Sequence, residues 1–146
     1  ARFDQHFTQF RAFAAEISAG PVEAQQAEVT YINDLGLGGT MPALDEALTA
    51  WTKVDLHHLG EPEEVRFAEV FTVPSMSPLA RLYISLDPHK RADGTETTLL
   101  TLTVRGHTAG PSPGDVLSFL DTARGHIVTS FSEITSETMQ LRWGRK

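Results

Sequence analysis

The chain contains no cysteine. Disulfides, zinc–thiolate sites and thiol nucleophiles are therefore excluded. Cations are scarce as well. Twelve Lys and Arg face nineteen Asp and Glu, for a net charge of −7. A nucleic-acid binder has to neutralise phosphates with clustered cations, and an anionic membrane surface makes the same demand. Neither partner fits this balance. No run approaches about 18 continuous apolar residues, the minimum for a membrane-spanning helix. With no thiols and no such span, the expected location is cytoplasmic. Tyr and Trp number only two each, whereas Phe occurs eight times. A content of 40% hydrophobic and 21% charged residues over 146 positions suits one α+β domain with its own core.

The first elements are read from period. Phe3, Phe7, Phe10, Ala14 and Ile17 recur at helical spacing and predict a helix from about Phe3 to Ser18, ended by Gly20-Pro21. So many phenylalanines on one stripe call for burial against a sheet or a partner. Ala27 to Asn33 is rich in β-branched and aromatic residues and predicts a strand. Asp34-Leu-Gly-Leu-Gly-Gly39 is a loop; it lacks the lysine of a phosphate-binding loop. Thr40 caps a second helix with Leu44, Ala47, Leu48 and Trp51 on its apolar face.

Period two takes over in the middle of the chain. Glu64–Val73, Arg81–Leu86 and Thr97–Arg105 predict three strands, the last two joined through the Asp93-Gly94 hairpin signal. One face carries Leu82, Ile84, Leu86, Leu100, Leu102 and Val104. The other carries Arg81, Tyr83, Ser85, Thr101, Thr103 and Arg105. One oily face and one hydroxyl-bearing face mark an antiparallel layer. Ser112-Pro113-Gly114-Asp115 then opens a long helix to about Ser132, with Val116, Leu120, Ala123, Ile127 and Phe131 as its stripe. A short last turn carries Met139, Leu141 and Trp143. The expected fold is a mainly antiparallel four-stranded sheet with the N-terminal and long C-terminal helices on one face.

Val29-Thr-Tyr-Ile-Asn33, the Leu100–Gly106 strand and the ending Ile127-Val128, Phe131, Thr135, Met139, Trp143-Gly144-Arg145 resemble a bacterial family. Its members are sporadically distributed proteins of uncharacterised function, with a "VTYIN" strand and a "WGR" ending. The resemblance implies that this chain is the C-terminal portion of a longer protein, so the missing N-terminal half would be a partner. It implies no activity and no cofactor. Two positions depart from the family pattern: Asp34 and Gln140 stand where histidine is frequent.

Three groupings compete as sites. The sheet face with Arg81, Tyr83, Thr101, Thr103 and Arg105 offers hydroxyls and guanidinia to a ligand or partner. At the chain end, Trp143 and Arg145 are read either as a clasp that closes the fold or as a ligand platform with an anion clamp. Asp55, His57 and His58 are the only clustered metal-ligating types, although adjacent histidines rarely converge on one centre and no HExxH spacing exists. Pairing His107 or His126 with Ser112, Ser130 or Asp121 gives no serine triad with good geometry. The leading expectation is a non-catalytic domain that binds a ligand or partner, or assembles with itself as a homo-oligomer. The alternative is a metal-assisted hydrolase using Asp55, His57 and His58.

Overall fold

Alternation of apolar and hydroxyl side chains produces the sheet, and its register shows why. The computed structural model describes residues 2–37, 41–49 and 64–144. Strands β1 (Ala27–Asp34), β2 (Phe67–Val73), β3 (Ala80–Lys90) and β4 (Glu96–Gly106) form one antiparallel sheet in the order β1-β4-β3-β2. In the two central strands Leu82 lies opposite Val104, Ile84 opposite Leu102 and Leu86 opposite Leu100, and all six are buried. The same register aligns Arg81 with Arg105, Tyr83 with Thr103 and Ser85 with Thr101 on the other face.

The hairpin between β3 and β4 is longer than predicted. Its turn is closed by Gly94 N–H donating to the Arg91 carbonyl at 2.9 Å, with Gly94 at φ +87°. Only glycine adopts that conformation without strain. Pro88 sits inside β3 without harm. Pairing with β2 ends at Leu86, so the missing N–H falls where the strand has no second neighbour.

Helix α3 (Pro113–Ile134) is started by the predicted signal. Ser112 Oγ accepts from Asp115 N–H at 3.1 Å, and the Asp115 carboxylate accepts from Ser112 N–H at 3.2 Å. This reciprocal capping box satisfies two otherwise unpaired donors. Val116, Phe119, Ala123 and Ile127 are its buried residues, and it lies against β1 and β4. The architecture is therefore α+β, with an antiparallel four-stranded sheet and the long C-terminal helix across its oily face.

Helix α1 (Arg2–Glu16) packs on α3 and buries only Ala14. The phenylalanine stripe is not covered by the sheet: Phe3 is 43% exposed, Phe10 and Phe13 55%, and Ile17 57%. Helix α2 (Met41–Ala47) and helix α4 (Glu137–Arg142) contact each other. They are tied by a Leu48–Thr135 bridge, by Ser136 N–H to the Ala47 carbonyl at 2.8 Å and by Ser136 Oγ to the Glu46 carbonyl at 2.6 Å. The predicted cap Thr40, the apolar Trp51 and the whole Asp55-His57-His58 grouping lie outside the described residues, as does Arg145.

Candidate functional site

The sheet-face residues predicted from sequence do stand together. Arg105 donates through Nε to Glu28 on β1, and its guanidinium lies 5.6 Å from the centroid of the Tyr83 ring. Glu28 and the ring together hold the Arg105 guanidinium protonated even more firmly than usual, with Glu28 the main cause. Thr103 Oγ1 and Thr30 Oγ1 are 2.8 Å apart. On this face Arg105 pairs with Glu28 and Tyr83, and Thr103 with Thr30. The best cation of the face is already taken by Glu28, which sequence spacing could not reveal because the contact spans 77 positions.

Concavity is found elsewhere, where the C-terminal end of β1 meets α3 and α4. A cavity of about 600 Å³ opens there, bounded by Ile32, Leu35, Val128, Phe131 and Trp143 together with Asn33, Asp34, Ser132 and Gln140. The size lies within the range of small-molecule sites, and a mostly apolar wall with a few polar groups is their usual composition. The elements that build it follow from local sequence. β1 runs out at Asp34, α3 brings Val128, Phe131 and Ser132 round at helical spacing, and Ser136 caps α4 so that Gln140 and Trp143 face back.

Trp143 is half-buried, with its ring tilted at 38° against Phe131 and the centroids 5.9 Å apart. It is thus both clasp and wall. The clasp is completed by Met139, fully buried, and by Arg142, which bonds Glu46 on α2 at 3.1 Å.

Gln140 is the site's most constrained polar side chain. It is 5% exposed, and Nε2 donates to the carbonyls of Ser132 (2.8 Å) and Thr135 (2.9 Å) and to Thr135 Oγ1 (2.9 Å). Three acceptors around one amine fix the amide orientation. The amide oxygen is buried and has no hydrogen-bond partner among the described residues. A buried unpaired acceptor costs free energy until a donor reaches it.

Asp34 is the opposite case. Its carboxylate accepts from Thr97 Oγ1 at 2.5 Å, Gly36 N–H at 2.9 Å and Arg91 Nε at 2.7 Å. These bonds, Thr97 first, hold its pKa down to about 2. Such a carboxylate is a poor proton acceptor at neutral pH. Asn33 donates through Nδ2 to the Leu100 carbonyl at 3.1 Å. Asp34 and Gln140, the two positions singled out in the sequence, line one cavity from elements more than 100 residues apart.

The two described histidines tried as serine partners do something else. His126 Nε2 lies 2.9 Å from Ser75 Oγ, on the turn after β2, rather than from Ser112, Ser130 or Asp121. Among the described residues no carboxylate bonds its other nitrogen. His107 donates through Nδ1 to the Gln25 carbonyl at 2.7 Å. No group of three or more His, Asp or Glu among the described residues has the arrangement to hold a metal ion. No described helix is long and apolar enough to cross a membrane. Comparison with protein-family models, curated proteins and solved structures gives no match to this chain.

Proposed function

We propose that this domain binds a small, largely apolar ligand carrying a hydrogen-bond donor, in the cavity between β1, α3 and α4, and that it holds the ligand rather than transforming it. The observation that carries this reading is the buried Gln140. It lines a concave apolar wall, and among the described residues its buried amide oxygen has no partner. A neutral primary amide or an amine-bearing aromatic suits that wall, since Phe131 and Trp143 supply ring faces. Holding without chemistry is supported by the lining itself. Among the described lining residues the only carboxylate, Asp34, is already triply bonded and ionised down to about pH 2, and none is a histidine.

The test is NMR shift mapping of the isotope-labelled chain against a panel of aromatic and aliphatic primary amides, benzamide among them. Saturable shifts are expected at the amides of Asn33, Leu35, Phe131, Gln140 and Trp143. Val128→Phe, which narrows the cavity from an exposed position, should weaken them. Shifts confined to the Arg105 face, or none at any soluble concentration, would remove the reading.

A further inference from the structure

Helix α1 presents an apolar stripe that nothing in the described chain covers. Phe3, Phe10 and Ile17 follow at intervals of seven, drifting only about 20° per step around the helix. Phe13 widens the stripe on one side. The other side of the helix is spent on α3, through Ala14 and the half-buried Phe7, whose ring stacks on Phe3 at 5.7 Å. The exposed aromatics are therefore not fraying from a loose contact. They stand on the face that α3 leaves free.

The charges around the stripe name its occupant. Arg2 and Glu16 lie on one flank, the Phe13 side, at opposite ends of the fifteen-residue helix. Asp4 and Arg11 lie on the other flank. Among the described residues none of these four has an ion-pair partner.

One arrangement both covers the stripe and pairs Arg2 with Glu16. When two identical helices meet antiparallel about a twofold axis, like flanks face each other and ends are exchanged. Arg2 of one copy then lies beside Glu16 of the other, opposite in charge. Phe10 meets Phe10 at the axis, and Phe3 meets Ile17. A parallel pairing sets unlike flanks together and leaves Glu16 without a cation.

We infer that a second copy of this chain docks antiparallel on α1, burying the Phe3, Phe10, Phe13 and Ile17 stripe with Arg2–Glu16 pairs at its two ends. The buried area is on the order of 400 Å² per copy, which belongs to weak, reversible association in the micromolar range. The interface is independent of the β1–α3–α4 cavity.

Sedimentation equilibrium of the whole chain up to about 100 µM tests it. The wild type is expected to dimerise and Phe10→Asp to remain a monomer with an unchanged circular dichroism spectrum. Glu16→Arg should weaken the dimer about fivefold, and adding Arg2→Glu should restore it. The two side chains are about 21 Å apart along one helix, so rescue can act only between copies. A monomeric wild type overturns the inference, and so does a dimer indifferent to Phe10→Asp. A dimer sensitive to Phe10→Asp but not rescued by the charge exchange overturns the antiparallel pairing.

Discussion

Asp34, the last residue of β1, and Arg91, in the turn of the β3–β4 hairpin, are 57 positions apart and share an ion pair of 2.7 Å. Thr97 on β4 and the Gly36 backbone complete the carboxylate's shell. The contact locks the hairpin tip to the end of the edge strand, on the rim of the cavity. Without it, β1 is held at that end by Leu35 N–H to the Thr98 carbonyl at 3.0 Å and by the Asn33 side chain.

This geometry has a pH signature. The folded pKa of Asp34 is about 2, below the ordinary value of 3.8. Its stabilisation is therefore complete above the unfolded value and fades as pH falls from about 4 through about 2. Asp34→Asn should lower the melting temperature at pH 7, and the gap to wild type should narrow steadily as pH falls from about 4 towards 2. Thermal melts across that window decide it. A gap that does not narrow would show that the carboxylate's charge is not what holds the hairpin tip.

Met139 and Trp143 share a face of the last helix but differ in burial. Met139 is fully buried, whereas Trp143 is only partly buried at the cavity wall. Met139→Ala should cost about 3 kcal/mol, within the range for truncating a buried large side chain. Trp143→Ala should cost less, about 2 kcal/mol, because part of its ring already faces water. Its larger effect should fall on amide binding in the cavity. Chemical denaturation of both variants gives the order, and a costlier Trp143→Ala would place that ring in the core.

Period and turn chemistry made most of the fold legible. Leu82, Ile84 and Leu86 beside Leu100, Leu102 and Val104 declare one buried face, Asp93-Gly94 the hairpin, and Ser112 to Asp115 the helix start. The exposed α1 stripe was legible only as a demand for burial, since period says that a face is apolar and not what covers it. The cavity was not legible as a site. Its walls come from β1, α3 and α4, and the feature that marks it, an unpaired buried amide oxygen, depends on where Thr135 and Ser132 stand. The Ser75–His126 contact escaped for the same reason, with 51 positions between its ends.

Gly106 closes β4 where three strands are at their tightest. It pairs with Ala27 on one side and Ala80 on the other. A Cβ at position 106 would stand 2.8 Å from the Ala80 Cβ and 2.9 Å from its Cα. Backbone cannot yield as a flexible side-chain tip can. Gly106→Ala should therefore destabilise by about 2 kcal/mol despite the better strand propensity of alanine, and Gly106→Val by more. Gly94, whose Cβ would meet nothing, should instead be limited by its φ of +87° alone. Equal melting temperatures for Gly106→Ala and wild type would show that the strands can part there.

Arg105 separates the two candidate surfaces. Its pair with Glu28 and its contact with Tyr83 are on an open sheet face, and both carboxylate and guanidinium are substantially exposed. Exposed pairs contribute little to stability, typically under about 1 kcal/mol. Arg105→Ala should accordingly leave the melting temperature within a few degrees of wild type. It should also leave amide binding untouched, because none of the cavity's lining residues contacts it. Replacing Gln140 by Leu should do the reverse. It removes three donated hydrogen bonds and the unpaired oxygen together, so both stability and amide binding should fall. Running both variants through the same titration assigns the site. Loss of binding in Arg105→Ala with retention in Gln140→Leu would move the function to the sheet face, where Arg81, Tyr83, Thr101 and Thr103 would be the residues to examine next.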